Sequence, residues 1–196
     1  MIDEYKTISH HTGEGIYTEK RSKFLAFSHF VETLDEIRQL LHDYRKRYHD
    51  ARHVCYAYML GHERKDFRAN DDGEPGGTAG KPILGQINAL ELTNVLVIVV
   101  RYYGGINLGT GGLVVAYRQA AREALDNAEI ITRQVEELVE YDFTYPMMND
   151  VMRVVKEFSP RIVSQTFDTN CSITLSIRKS EAEHLRQRLA KLSFGE

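Results

Sequence analysis

The chain has 196 residues, 42% of them hydrophobic and 27% charged, with a formal net charge of -3. That balance excludes collagen-like, low-complexity and disordered classes, and the length suits one large domain or two small ones. The mild acidity excludes a protein that grips duplex DNA by a basic envelope, so any anion-binding face must be local.

Tyr5–Ile8 and Gly15–Glu19 read as short strands, and Phe24–Val31 as a strand rich in aromatic and apolar residues. Thr33-Leu-Asp-Glu36 has capping-box spacing. Leu34, Ile37, Leu41, Tyr44 and Tyr48 follow at helical spacing, and Arg45, Lys46 and Arg47 fall where the helix dipole favours cations. Val54–Leu60 is a strand. Asn70-Asp-Asp-Gly-Glu-Pro-Gly-Gly-Thr-Ala-Gly80 is a long shaped loop, because its glycines and Pro75 cannot sit in regular structure. A helix follows, with Ile83, Leu84, Ile87 and Leu90 as its apolar side. Val95–Val100 is an unbroken apolar, mostly β-branched run, the signature of a strand buried on both faces. It leads through Arg101-Tyr-Tyr-Gly-Gly-Ile-Asn-Leu-Gly-Thr-Gly-Gly112 into a helix from about Leu113 to Ala128, and a strand through Ile130 and Ile131 closes this part.

From about Arg133 a second pattern begins. Strand Leu138–Tyr145 precedes a helix with Val151, Val154, Val155 and Phe158, then a hairpin of Arg161–Phe167 and Cys171–Arg178. Ser180-Glu-Ala-Glu183 has the spacing of a second capping box, opening a helix with Leu185, Leu189 and Leu192. The βαββα order is one strand short of a ferredoxin-like domain, and Ser193–Glu196 is a short stretch for the last strand. The fold class is α+β, with residues 1–132 and 133–196 as two domains.

The two cysteines, Cys55 and Cys171, have neither CxxC nor metal-like spacing, which fits a reducing compartment. MIDEYKTISHH lacks the basic-then-apolar pattern of a secretory signal, and no apolar run approaches the ~20 residues of a membrane helix. A cytoplasmic chain with no membrane partner is expected.

Ten of the 14 glycines lie between Gly73 and Gly112. Two glycine-rich loops each lead into a helix N-terminus, whose free N–H groups and dipole suit an anion. Lys81 starts one helix and Arg101 ends the strand before the other, so the two cations complete a candidate phosphate or carboxylate site. The alternative is that the glycines serve tight turns and close helix–sheet packing. Neither GxxxxGK[ST] nor GxGxxG is present. Asp71, Asp72 and Glu74, with His53 and His62 nearby, read either as a metal or acid–base cluster or as turn-shaping residues. Lys20, Arg21 and Lys23 form one basic run and Arg45, Lys46, Arg47 and Arg52 another. Interleaved with Tyr44, Tyr48, Tyr102 and Tyr103, they read as an RNA-gripping surface or as ordinary solvated residues. Cys55 reads as an inert core thiol.

Lys20-Arg-Ser-Lys-Phe24, Ala51-Arg-His-Val-Cys-Tyr-Ala57, Asn70 to Ile83 and Val99 to Leu113 together resemble the Impact/YigZ family in its bacterial two-domain form. The resemblance implies a first domain like the second domain of ribosomal protein S5 and a second like the fifth domain of elongation factor G. Eukaryotic Impact proteins resemble this chain only in the first domain and act in translational control. The function expected first for this chain, from its own glycine loops, cations and aromatics, is that of a non-enzymatic cytoplasmic factor that binds RNA or the ribosome and translation machinery. Arg101 and Lys81 would hold phosphates, Tyr102 or Tyr103 would stack, and His53, Gly104, Gly105, Gly109, Gly111 and Gly112 would complete the surface. No catalytic residue, metal or cofactor is assigned. The alternatives are a small-molecule kinase-like enzyme, with Asp71, Asp72 or Glu74 on magnesium, and a protein-interaction module.

Overall fold

A computed structural model describes residues 3–193 of the chain. The chain forms two compact units, Tyr5–Arg133 and, from Gln134 onward, a second unit that takes in Asp3 and Glu4.

The first unit holds, apart from the end residues Glu4 and Gln134, the strands β1 (Glu4–Ile8), β2 (Gly13–Glu19), β3 (Ser22–Phe30), β4 (His53–Leu60), β5 (Asp66–Asn70), β6 (Val95–Tyr102) and β7 (Ile130–Gln134). The helices are α1 (Leu34–Arg47), α2 (Gly80–Ala89) and α3 (Gly109–Asp126). Five strands make one antiparallel sheet in the order β2-β3-β6-β4-β5, while β1 and β7 pair separately. The apolar run is the central strand and serves two cores. Val95, Val97 and Val99 pack with Ile83 and Ile87 of α2 and with α3. Leu96, Ile98 and Val100 pack with Ile37, Leu41 and Tyr44 of α1. Every one of these six strand residues is 0% exposed, so period-2 alternation disappears where both faces are dry.

Thr33 caps α1 as its spacing predicts, accepting from the Glu36 amide at 3.2 Å while the Glu36 carboxylate accepts from the Thr33 amide at 2.9 Å. α3 lies close on the edge of the sheet. A Cβ on Gly15 would fall 2.6 Å from the Ala124 amide nitrogen, so only glycine lets the helix backbone approach β2 there. Two features depart from the sequence reading. β5 is a short polar edge strand without apolar alternation, so no periodicity announced it. α3 begins at Gly109, not near Leu113, so glycines read as loop form its first turn.

The second unit contains β8 (Glu136–Phe143), a 3-10 turn Tyr145–Met147, α4 (Met148–Phe158), β9 (Arg161–Phe167), β10 (Cys171–Arg178) and α5 (Lys179–Ser193). Its sheet has the order β8-β10-β9, with β10 antiparallel to both neighbours. Cys171, Ile173, Leu175 and Ile177 alternate into a core with Val151, Val154 and Val155 of α4 and Leu185 and Leu189 of α5. The anticipated Ser180–Glu183 capping box does not form. Instead the Ser180 amide and hydroxyl both donate to the Asp3 carboxylate at 3.1 Å, so a residue 177 positions away caps α5. The C-terminal stretch read as short for a last strand lies, beyond Ser193, outside the described residues. No helix among the described residues is long and apolar enough to cross a membrane.

Candidate functional site

At the end of the central sheet where β6 gives way to α3, a cleft of about 430 Å³ opens. Arg52, His53, Gly73, Glu74, Arg101, Tyr103, Gly109 and Thr110 are among the residues that line it. Register explains the convergence, because β6 sets Arg101 opposite Phe24 of β3 on one side and opposite His53 of β4 on the other.

The floor of the cleft is a buried polar network. Arg101 Nη1 donates to Glu74 Oε1 at 2.6 Å, and the Tyr117 hydroxyl donates to the same oxygen at 2.8 Å. Both ion-pair side chains are nearly fully buried, 6% and 3% exposed. Such a pair orients its members more than it stabilises the fold, because desolvation offsets much of the attraction. His53 Nδ1 lies 2.7 Å from the Asp72 carbonyl oxygen, which can only accept, so Nδ1 carries a proton. His53 Nε2 then faces Glu74 Oε1 at 3.5 Å. Burial, with Cys55 and Glu74 alongside, pushes the Tyr117 phenol far above its ordinary value and keeps it a donor. Burial likewise pushes the Cys55 thiol up, so it is an unreactive core group that donates to the Asp71 carbonyl at 3.0 Å.

The acidic loop does not gather into one site. Asp71 accepts from the amides of Gly77, Ala79 and Gly80 at 2.9, 3.1 and 2.8 Å, filling the N-terminus of α2 with the chain's own carboxylate. Burial opposes that charge. The amides of Gly77, Gly80 and Ala79, with the Lys81 ammonium, outweigh it and hold the carboxyl below its ordinary value. Asp72 accepts from the Val54 amide at 2.7 Å, tying the loop to β4, and Glu74 points instead to Arg101. Among the described residues no group of three or more His, Cys, Asp and Glu is placed to hold a metal ion. The anion site expected at the start of α2 is therefore self-occupied, and Lys81 is exposed there, not among the lining residues that surround Arg101.

The other anticipated residues divide. Tyr103 lines the cleft, with the guanidinium groups of Arg52 and Arg101 at 5.0 and 5.5 Å from its ring centre. Tyr102 turns away, packing by the α1 core and donating to Asp50 at 2.8 Å. Around Gly105, Gly109 and Gly111 a Cβ would meet nothing within 4 Å, whereas one on Gly112 would sit 3.1 Å from the Leu108 Cβ. Gly104 has the strictest role. A Cβ there would lie 2.2 Å from the Arg21 carbonyl carbon, so the β6–α3 loop abuts the tip of the β2–β3 hairpin. At that tip Lys20 and Arg21 hold left-handed φ angles of 46° and 65°, a strain of roughly 1–2 kcal/mol each for residues with a Cβ. The Gly104 amide donates to Ser22 Oγ at 3.3 Å and fixes the contact. Lys20, Arg21 and Lys23 thus stand at the same sheet end as the cleft, since Lys23 is the register partner of Tyr102. Glu74 as the partner of Arg101, together with Tyr117 and with Asn107, a lining residue whose Oδ1 accepts from the Tyr103 hydroxyl at 3.2 Å, escaped the sequence reading, and no local pattern marks them.

The family model described as the Impact N-terminal domain matches residues 20–125, a span that contains the whole cleft. The chain belongs to the Impact family. An IMPACT family member of Haemophilus influenzae is 34% identical over 178 residues, covering 90% of this chain and 86% of the relative. The IMPACT family member YigZ of Escherichia coli is 29% identical over 180 residues, covering 90% and 87%. A crystal structure of a hypothetical protein matches all of this Impact family chain and 96% of its own, with a TM-score of 0.79 at 25% identity. The likeness therefore extends over both units, beyond the segment that the family model spans.

Proposed function

We propose that this Impact family chain is a non-enzymatic factor that binds RNA of the translation machinery through the cleft end of its first unit. The proposal includes the two domain likenesses, to ribosomal protein S5 and to elongation factor G, that the motifs imply. One observation carries it. Sheet register and the Gly104–Arg21 contact bring Lys20, Arg21, Lys23 and Arg52 to the end of the sheet that also holds Tyr103 and the start of α3. Cations beside an exposed aromatic ring are what a single strand needs, one set for phosphates and the other for stacking. The net charge of -3 is compatible, because such binding needs a basic patch and not a basic protein.

Filter binding of a single-stranded RNA at two salt concentrations tests the reading. Replacing Lys23 and Arg52 by Ala is expected to weaken binding at low salt. The slope of log affinity against log salt should fall by about one for each phosphate no longer neutralised. Absence of RNA association, or association indifferent to both changes, overturns it.

A further inference from the structure

We propose that the cleft at the start of α3 receives a phosphate monoester, presented by a mononucleotide or by the end of an RNA strand. The strand-end source rests on the RNA reading above; the monoester chemistry does not.

Arg101 supplies the first reason. Its side chain is 6% exposed, with Nη1 on Glu74 and Nη2 on Ser22 Oγ at 3.5 Å. Its Nε is buried without a hydrogen-bond partner among the described residues. A buried charged donor left unmade is rare in a folded protein, and Arg101 lines the cleft. The second reason is α3, an 18-residue helix whose N-cap, Leu108, offers no side-chain acceptor to the first-turn amides. A Cβ on Gly109 or Gly111 would meet nothing within 4 Å, so the space beside that first turn is open, and Thr110 is on the cleft wall. Asp71 occupies the equivalent position at α2, so the start of α3 is the one of these two that is free for a ligand oxyanion.

Shape and charge narrow the ligand. An internal phosphodiester carries a nucleoside on each side and does not descend to so buried a guanidinium, whereas a terminal phosphate does. Glu74 already balances the charge of Arg101, so the attraction for the anion comes from the first-turn amides of α3 and from Arg52 on the cleft wall, with Arg101 offering a hydrogen bond. A volume of about 430 Å³ suits one nucleotide, and Tyr103, 38% exposed, offers the ring on which its base stacks.

Fluorescence anisotropy on the full chain decides the matter, using one short RNA with a 5′-phosphate, with a 3′-phosphate, or with hydroxyls at both ends, and AMP as competitor. One phosphorylated end is expected to bind about tenfold or more tighter than the hydroxyl-ended strand, and AMP is expected to compete. Thr110→Glu places a carboxylate in the first turn of α3, where the dipole welcomes it, so the variant should fold and lose the preference. Arg101→Gln should lose it as well. Equal binding of all three RNAs with no AMP competition overturns the monoester site while leaving the RNA reading intact. AMP binding that Thr110→Glu removes, without RNA binding, upholds the site and overturns the RNA reading. A preference that survives Thr110→Glu in a folded protein overturns the assignment to this cleft.

Discussion

Glu74 sits in a loop and Arg101 on a strand 27 residues later, yet the two form a buried ion pair. Removing one partner of a buried pair leaves the other uncompensated, which costs about 3–5 kcal/mol. Glu74→Ala is therefore expected to lower unfolding stability by that order in urea titration. Glu74→Ala with Arg101→Met should recover much of the loss, since the orphaned charge is gone. A Glu74→Ala protein as stable as the parent would show that water reaches Arg101 freely. Arg101 reads in the sequence as a free cation on a strand end. The sequence holds no sign of its partner, because an ion pair between distant residues is set by register and loop path, not by any local spacing.

Among the elements, the loop before α2 shows how a glycine-rich segment acquires a definite shape. Asp71 substitutes for the missing N-cap side chain of α2, and the helix's own N-cap, Ala79, has nothing to offer. Asp71→Ala is expected to cost about 0.5–2 kcal/mol, the range for loss of a helix cap. Because the folded state holds this carboxyl below its ordinary value, the contribution is present above the usual carboxylate range and fades as pH falls beneath it. Thermal unfolding of Asp71→Asn from about pH 6 to about pH 3, which spans the carboxylate titration, should accordingly show a flatter acid side than the parent. α1 offers the contrast, because its Thr33–Glu36 cap lies within three residues and is legible in the sequence. The Ser180–Glu183 spacing looks the same, but α5 already begins at Lys179, and the Asp3 carboxylate accepts from the Ser180 amide that Glu183 would have capped and from the Ser180 hydroxyl.

For the molecule as a whole, stability is also a balance of protons. Burial lowers the basicity of His29, whose Nε2 lies 2.7 Å from the Tyr44 hydroxyl and whose Nδ1 lies 3.3 Å from Thr12 Oγ1. Its pKa is lower folded than unfolded, so the unfolded chain takes up the proton first as pH falls. Stability should drop as pH passes below the ordinary histidine value of about 6.5. Urea midpoints measured across that range should show the drop in the parent and a reduced drop in His29→Gln. An unchanged slope would place the titration elsewhere.

What the sequence determined by itself is what chain-local chemistry encodes. The apolar run Val95–Val100 required a sheet covered on both faces, and the capping pattern before Leu34 placed α1. The alternation from Cys171 to Ile177 named the buried face of β10, and the glycine motifs marked the family. Tertiary structure decided the charges. It gave Arg101 to Glu74, gave Asp71 to the start of α2, left Lys81 outside the cleft, and set the hairpin tip of Lys20 and Arg21 against Gly104. Hydrophobic periodicity is a property of neighbouring residues and survives in one dimension. The partner of a charge depends on strand register and backbone approach, which exist only after the chain has folded.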